Sequence, residues 1–177
     1  MDIIEKIKKY LMKHINGETN VKSLRFGSGS IKGIGKEIGK FVVITMEVPW
    51  KLVKNDIGGQ PEGVIFIDTV DQDALNKLLL TIPDIDSVVG IGGGMAVDAA
   101  KFFSWKRNVR LISIPTIVSV DAFLTPAAGV RFKNKVIYVG NSSPDPLIID
   151  YDIIRTAPKT LNIAGIGDLL SIHTASF

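Results

Sequence analysis

The sequence predicts an α/β fold, in which a mostly parallel sheet carries helices on both faces. Three features of its 177 residues indicate this fold. Short apolar runs rich in β-branched residues alternate with amphipathic segments of helical period, as in parallel strands joined by helices. A glycine-rich turn leads directly from one such run into a helix. The hydrophobic content of 46% suffices for a large buried core.

The elements follow in order along the chain. Charged and apolar residues alternate at helical spacing over residues 1–14, which predicts a surface helix. Five strands come next, and two helices lie between the later ones. The predicted strands are SLRF, KFVVIT, GVIFID, DSVVGI and VRLISIP, and the predicted helices are DQDALNKLLL and MAVDAAKFFSWK.

The pattern changes after Ala127. The stretch GVRFKNKVIYVG predicts two short strands around a polar turn, as a hairpin appended to the sheet. The stretch PLIIDYDIIRTAP predicts a last strand and a turn, and a helical pattern then continues to the end. We therefore predict a Rossmann-like α/β domain over residues 1–158. Residues 159–177 would be the truncated start of an all-helical second domain.

Composition excludes several classes of function. The chain has no cysteine, so disulfides, thiolate metal ligands and cysteine nucleophiles are absent. Its net charge is +3, and its lysines are scattered rather than gathered in a basic stripe with aromatic residues, which argues against nucleic-acid binding. No apolar run approaches the ~20 residues of a membrane span. Residues 1–14 lack the uncharged core of a signal peptide, so we expect a cytoplasmic protein.

The stretch VVGIGGGMAVDAAKFF contains the clearest candidate for ligand binding. Gly92, Gly93 and Gly94 follow the fourth predicted strand and lead into a helix. Helix N-termini attract phosphates through free N–H groups and the helix dipole, and glycines let the backbone approach closely. The residues alone leave open whether this turn binds a pyrophosphate or only packs the helix tightly against the strand.

A second glycine-rich segment, GSGSIKGIG, offers a competing phosphate site. The usual dinucleotide-binding pattern has its glycines after the first strand and an acid about 20 residues later. Gly27–Gly29 and Glu47 fit that spacing, with Glu47 expected at the end of the next strand. We favour the three adjacent glycines for the phosphates, because they permit closer approach. Glu47 remains a candidate for the adenosine ribose.

Hydroxyl side chains near the fifth strand are further candidates. Thr116 and Ser119 follow Pro115, which turns the chain across the carboxyl end of that strand, where a ligand would lie. These hydroxyls would bond an amide or a phosphate of a ligand, or would only cap the next turn.

Charged residues supply the remaining candidates. Asp98 is expected in the first turn of its helix, three residues before Lys101, where it would form an ion pair, contact a ligand, or do both. Asp121 lies in an apolar stretch, and an acid there needs a partner or a ligand. Arg131 and Lys133 would meet a substrate phosphate or, as we favour, lie on a solvated turn.

Three stretches together resemble one enzyme superfamily. GIGGGMAVDAAK is similar to the GGG-x-x-x-D-x-x-K motif of iron-containing alcohol dehydrogenases, glycerol dehydrogenases and dehydroquinate synthases. SIPTIVSVDAFLTP and PDPLIIDYDIIRTAPKTLNIAGIGDLLS resemble stretches of the sn-glycerol-1-phosphate dehydrogenases, although Ala122 replaces the usual glycine. The resemblance implies NAD or NADP as cofactor, a divalent metal, usually zinc, and a phosphorylated triose or polyol as substrate.

The resemblance also implies roles for individual residues. The glycine loop would hold the pyrophosphate, and Thr125 would lie near the nicotinamide. Asp121 would bind the substrate, and Asp168 would bind both the metal and the substrate, which makes these two the candidate catalytic residues. With Glu47 included, the candidate cofactor-binding residues are Gly92, Gly93, Gly94, Met95, Ala96, Val97, Asp98, Thr116, Ile117, Val118, Ser119, Thr125 and Glu47.

The implied metal site is incomplete in this sequence. A catalytic zinc usually has three protein ligands and one open position. Besides Asp168, the chain offers two histidines. His14 is expected on the surface of the first helix. His173 would lie about 140° around a helix from Asp168, so His173 and Asp168 cannot share a metal unless that helix breaks. In the family, the other ligands are histidines of the second domain, beyond residue 177.

The expected function is that of the cofactor-binding part of an NAD(P)- and metal-dependent oxidoreductase. It would interconvert dihydroxyacetone phosphate and sn-glycerol 1-phosphate for phospholipid biosynthesis, with little activity from these residues alone. One alternative is a glycerol or alcohol dehydrogenase of the same superfamily, and another is a non-catalytic nucleotide-binding module. An apolar patch left by the missing domain would favour a homo-oligomer.

Overall fold

The computed structural model describes residues 20–175, so the helix predicted over residues 1–14 and His14 lie outside the described residues. A six-stranded parallel sheet forms the centre, which confirms the predicted Rossmann-like α/β fold. The strands are β1 Leu24–Gly27, β2 Phe41–Thr45, β3 Gly63–Phe66, β4 Ser87–Gly92, β5 Arg110–Pro115, β6 Ala128–Phe132, β7 Lys135–Val139 and β8 Leu147–Asp150. The helices are α1 Glu47–Val53, α2 Gln72–Leu79, α3 Gly94–Arg107, α4 Tyr151–Thr156 and α5 Lys159–Ala175.

The strand order β1-β8-β5-β4-β2-β3 creates a crevice between β2 and β4 at the carboxyl edge of the sheet. The chain leaves β2 toward β3 on one side and leaves β4 toward β5 on the other. Neighbouring strands whose connections diverge in this way form a switch point, where open α/β sheets bind their ligands. The Thr45 hydroxyl donates to the Ile91 carbonyl at 2.8 Å and ties the two strand ends together.

The core lies on both faces of the sheet. Every residue of β2 and β4 is buried, as expected of parallel strands covered on both sides. On one face, Phe102 and Phe103 of α3 pack in a cluster with Val88 of β4. On the other face, Val53 of α1 and Ile153 of α4 pack in a cluster with alternate strand residues. The prediction of helices on both faces is therefore confirmed.

The hairpin forms a sheet of its own, and the prediction that it is appended to the main sheet is wrong. Strands β6 and β7 pair only with each other in an antiparallel ladder, and a single bridge joins Arg131 to Asp71 at the start of α2. Ala128 and Val130 of β6 are buried in the same cluster as α3. The hairpin buries its apolar side on this helix, and residue periodicity does not show which surface a strand covers.

Two short helices were not predicted. Strand β2 ends at Thr45, and α1 follows at once, with Pro49 in its first turn, where proline is tolerated. A helix, α4, also replaces the turn predicted after β8. The Asp150 side chain caps α4 by accepting from the Asp152 N–H at 3.0 Å.

Helix α5 presents apolar side chains on the surface. Ile163, Ile166 and Leu170 are each more than half exposed, at 62%, 59% and 57%. The expected apolar patch is thus present on this helix, while self-association stays a prediction. Within residues 20–175, no helix combines the length and the apolar character needed to cross a bilayer.

Candidate functional site

The N-terminus of α3 lies at the switch point between β2 and β4. Gly93 precedes the helix in extended backbone, and no side chain caps the helix there. Because α3 begins at Gly94, Asp98 is its fifth residue, and the prediction that this acid lies in the first turn is wrong. The N–H groups of the first turn therefore have no acceptor within the helix, and this turn contains no carboxylate. A helix end of this kind favours an anion.

Packing explains why two of the loop residues are glycine. A Cβ atom on Gly93 would lie 2.7 Å from Ile117 Cδ1, and one on Gly94 would lie 3.0 Å from Val120 Cγ2. The loop after β5 thus rests on the glycine loop. Gly92 has φ +148°, a conformation that side chains rarely allow. Tight packing and an accessible helix terminus occur together in this turn.

Three adjoining clefts run along the carboxyl edge of the sheet. The outer cleft, about 710 Å³, lies at the ends of β2 and β3. The glycine cleft, about 390 Å³, lies over the glycine loop and shares Met46, Val48 and Pro49 with the outer cleft. The acidic pocket, about 570 Å³, shares Gly94 with the glycine cleft. Together they suit an elongated ligand with its anionic part in the middle.

The acidic pocket brings together three carboxylates from distant parts of the chain. Asp98 comes from α3, Asp121 from the loop after β5 and Asp168 from α5, and Tyr138 of the hairpin also lines the pocket. The Asp121 N–H donates to Asp168 Oδ2 at 3.1 Å. The Asp121 side chain is exposed, so burial among apolar residues does not by itself require a partner or a ligand for this acid, and its binding of a ligand stays a prediction.

The residues that follow Gly94 contribute in different ways. Met95 lines the glycine cleft and is 37% exposed. Ala96 and Val97 are buried in the core, so their side chains cannot contact a phosphate. The Val97 N–H donates to the Gly93 carbonyl at 3.1 Å, which leaves only the Ala96 N–H of this pair for a ligand. These two positions were predicted as binding residues, and their side chains serve packing instead.

The predicted segment after β5 also divides its roles. Thr116 is buried and lines the glycine cleft beside Ile117. The Val118 N–H donates to the Asn162 side chain at 3.4 Å, and Ser119 is half-buried next to it. Thr125 lines the acidic pocket, and its hydroxyl donates to the Ala122 carbonyl at 3.2 Å.

Glu47 lies beside the outer cleft, but not at the end of a strand as predicted. It is the first residue of α1, where it is exposed and forms an ion pair with Lys51 at 3.1 Å. Phe66 and Asp68 at the end of β3 line the same cleft. The carboxylate is therefore accessible to a ligand that enters from this side.

The competing glycine segment already binds an anion of the protein itself. The buried Asp150 carboxylate accepts from the Gly29 N–H at 3.2 Å and from the Ile31 N–H at 3.1 Å. The Ser28 hydroxyl donates to Asp152. The position that a phosphate would take near Gly27–Gly29 is thus occupied by a side chain of β8, which supports the choice of the triple glycine.

The basic residues of the hairpin lie away from the acidic pocket. The Arg131 side chain is exposed, and the backbone N–H of this residue donates to the Val70 carbonyl at 2.9 Å. Lys133 sits at the turn with its ammonium 5.2 Å from the centre of the Phe132 ring. Neither residue lines the pocket. Their placement supports the interpretation of a solvated turn.

The described side chains do not form a complete metal site. Among them, in a part of the chain that leaves out the side chain of His173, no group of three or more His, Asp or Glu lies close enough to hold an ion. Helix α5 is continuous from Lys159 to Ala175, and the prediction that Asp168 and His173 do not share a metal stays a prediction. Asp168 stays the one predicted metal ligand.

Lys101 was predicted only as an ion-pair partner of Asp98, and the structure gives it further contacts. Its side chain is 2% exposed, and its ammonium lies 2.7 Å from Asp98 Oδ1, as the predicted i, i+3 ion pair requires. It also donates to the Ala127 carbonyl at 2.6 Å and to the Ala122 carbonyl at 2.9 Å. The apolar residues around it in the sequence were the available signal that this lysine faces the interior.

One face of α5 docks on the loop after β5. Asn162 accepts from the Val118 N–H, Asp168 accepts from the Asp121 N–H, and Gly165 lies between them on the same face. A Cβ atom on Gly165 would overlap with the Val118 carbonyl oxygen. The glycine therefore sets how closely Asp168 approaches Asp121.

We expect Gly165→Ala to separate α5 from this loop. The added methyl group forces the helix outward, which should lower the free energy of unfolding by about 1–3 kcal/mol and expose the Asp121 amide. Hydrogen exchange at Asp121 and thermal unfolding measure the two effects. Gly167→Ala is the matched control, because a Cβ atom there meets nothing within 4 Å and alanine gains about 1 kcal/mol in helix propensity. Equal exchange rates at Asp121 and equal unfolding temperatures for the two variants would contradict the docking argument.

The comparisons with known proteins identify a family. Residues 27–158 match the family model described as iron-containing alcohol dehydrogenase. The chain is 40% identical over 91 residues to the glycerol-1-phosphate dehydrogenase, NAD(P)+, of Aeropyrum pernix, and 31% identical over 137 residues to that of Archaeoglobus fulgidus. These matches cover 51% and 74% of this chain. The chain spans only 26% and 39% of the two relatives.

A solved structure supports the same assignment. The crystal structure of glycerol dehydrogenase from Schizosaccharomyces pombe superposes with a TM-score of 0.76 at 26% identity, covering 85% of this chain and 42% of that one. The family resemblance predicted from the three sequence motifs is confirmed. The chain belongs to the iron-containing alcohol dehydrogenase family.

Proposed function

We propose that this chain is the dinucleotide-binding part of an NAD(P)-dependent oxidoreductase that interconverts dihydroxyacetone phosphate and sn-glycerol 1-phosphate. The observation that carries the proposal is the uncapped N-terminus of α3 at the switch point of the sheet. The glycine cleft and the acidic pocket meet at this terminus, and the outer cleft adjoins the glycine cleft. The curated relatives are named for this reaction and for NAD(P)+.

The three clefts suggest how a dinucleotide would lie. Its diphosphate would accept hydrogen bonds from the N–H groups at the start of α3, as anions do at helix N-termini. The adenosine would occupy the outer cleft, where Glu47 would bond the ribose hydroxyls. The nicotinamide would then reach the acidic pocket near Thr125. When bound there, the cofactor supplies the hydride that is exchanged with the substrate carbon.

Asp121 and Asp168 would act on the substrate from the opposite side of the acidic pocket. Their carboxylates would accept hydrogen bonds from the hydroxyl groups of a triose or polyol. We also infer that Asp168 contributes one ligand to a divalent metal, with zinc as the expected ion. The described side chains hold no complete metal site, and we expect slow turnover, or none, from this chain alone.

Several broader assignments belong to the same proposal. Residues 1–158 would form the nucleotide-binding domain, and residues 159–177 would begin a helical metal-binding domain. The reaction would supply the glycerol phosphate backbone of archaeal-type phospholipids in the cytoplasm. A homo-oligomer would cover the exposed apolar side chains of α5, which are consistent with such an interface.

Titration of the chain with NADH and NADPH, followed by cofactor fluorescence, tests the proposal. We expect saturable NADH binding and weaker binding of NADPH, by about tenfold, because the Glu47 carboxylate would repel a 2′-phosphate. Glu47→Gln should narrow that difference. The proposed function would be contradicted if neither NADH nor NADPH binds. Rapid NADH oxidation by the chain with zinc and dihydroxyacetone phosphate would contradict the incomplete metal site.

A further inference from the structure

The buried ammonium of Lys101 is the centre of a dense cluster of oxygen atoms. It contacts Asp98 Oδ1 at 2.7 Å, the Ala127 carbonyl at 2.6 Å and the Ala122 carbonyl at 2.9 Å. The carbonyl and the hydroxyl of Thr125 each lie at 3.3 Å. Four residues from two separate parts of the chain thus converge on one charge.

The cost of burying this charge indicates that the charge itself has a role. An ammonium removed from water is expensive unless its partners replace the lost hydration, and a well-packed apolar side chain often serves stability as well or better. A methionine would fill much of the same space among the apolar residues of α3. The lysine therefore serves something other than filling the interior.

The cluster joins the two sides of the acidic pocket. Asp98 belongs to α3, whose N-terminus forms the glycine cleft, while residues 122–127 form the segment that directly follows Asp121. One oxygen of Asp98 is held by Lys101, and the other faces Gly129, where a Cβ atom would lie 3.1 Å from it. The carboxylate is consequently held through Oδ1, and the same ammonium fixes the loop relative to α3.

We propose that Lys101 is a positioning residue that sets the geometry of the acidic pocket by holding Asp98 and residues 122–127 with one buried charge. The part of this proposal that concerns nicotinamide binding rests on the proposed function. The part that concerns the order of the loop does not, since it follows from the contacts of the ammonium alone.

The absence of cysteine allows a direct test with one engineered thiol. Lys101→Cys is alkylated in the unfolded chain and refolded. Treatment with 2-bromoethylamine restores an ammonium at nearly the length of lysine, and treatment with 1-bromopropane gives a neutral side chain of matched length. The two products differ only in the terminal group, a charged ammonium in one and a neutral methyl group in the other. Lys101→Met and Lys101→Arg form a second pair that needs no chemical modification.

Two readouts separate the geometric claim from the functional one. Hydrogen exchange at the Leu124 and Thr125 amides, which donate to Asp121 and Ala122, reports the order of the loop. Affinities for NADH and for ADP-ribose report the pocket, since ADP-ribose lacks the nicotinamide and needs only the outer and glycine clefts. A general loss of folding would weaken both ligands equally, whereas a displaced pocket weakens NADH alone.

We expect the propyl form to exchange these two amides at least about tenfold faster than the wild-type chain, and to lose about tenfold in NADH affinity. Its affinity for ADP-ribose should stay within about twofold, and the aminoethyl form should recover both properties. Equal exchange rates and equal NADH affinities for the two forms would overturn the proposal, because a side chain of this length would then order the loop without a charge. If the propyl form does not refold, the same comparison of Lys101→Met with Lys101→Arg decides the matter. Failure of the wild-type chain to bind NADH would refute the proposed function, while the exchange readout would still test the positioning role.

Discussion

Met95→Glu is expected to weaken NADH binding by about 10- to 100-fold without lowering the stability of the fold. Met95 lines the glycine cleft, is 37% exposed and lies in the first turn of α3. A carboxylate there would lie close to the diphosphate and repel it. The same carboxylate interacts favourably with the helix dipole, typically by 0.3–1 kcal/mol, so the helix should be slightly stabilised.

Met95→Gln is the matched control for this experiment. Glutamine has the size and polarity of glutamate without its charge, so NADH affinity should stay within about threefold of wild type. Fluorescence titration at low and high salt measures the difference, which should shrink as salt screens the repulsion. Equal NADH affinity for the glutamate and glutamine variants would show that the diphosphate does not bind at the start of α3.

Asp150→Ala should cause the largest loss of stability among the changes considered. The Asp150 carboxylate is buried and accepts from three backbone N–H groups, those of Gly29, Ile31 and Asp152, at 3.2, 3.1 and 3.0 Å. Alanine would leave the buried Ile31 N–H and the partly buried Gly29 N–H without an acceptor and would uncap α4, and we expect a loss of about 3 kcal/mol. In a domain of this size that corresponds to a fall in Tm of about 6–12 °C.

Two variants show how much of this effect comes from burial. Asp71 caps α2 in the same manner, accepting from the Asp73 and Ala74 N–H groups at 3.1 and 3.0 Å, but it is only half-buried. Asp71→Ala should therefore cost about 1 kcal/mol. Asp150→Asn keeps one acceptor oxygen and should fall between the two alanine variants. A Tm for Asp150→Ala equal to that of Asp71→Ala would contradict the argument.

The same variant also tests the choice between the two glycine segments. Because Asp150 occupies the anion position near Gly29, its removal should leave NADH affinity unchanged at a temperature where the chain is folded. Tighter NADH binding by Asp150→Ala would indicate that a phosphate enters the vacated position. That result would restore the segment Gly27–Gly29 as a dinucleotide site.

Much of the sheet was predictable because burial acts on the local pattern. Strands β2, β4 and β5 are covered on both faces, so each appears as a short uninterrupted apolar run. The glycine loop was predictable for a similar reason, since its three glycines have no role in a helix interior. Helix α1 was missed because Pro49 is typical of turns, although a first helical turn also accepts it.

The acidic pocket was predictable only as a set of separate residues. Asp121 and Asp168 were identified from motifs, but that the Asp121 N–H bonds to Asp168 depends on how α5 docks. The role of Gly165 in that docking has no local signature, because helical glycines are usually only destabilising. The oxygen cluster around Lys101 likewise involves carbonyl groups up to 26 residues away along the chain.

Local sequence thus determined the alternation of strands and helices, the position of the glycine turn and the family. Each of these depends on neighbouring residues, whose spacing fixes which side chains share a face. Tertiary structure alone decided that the hairpin covers α3, that Asp150 occupies the other glycine segment and that Lys101 joins two sides of a pocket. These contacts connect residues distant in sequence, and only packing of the complete sheet and its helices brings such residues within hydrogen-bonding distance.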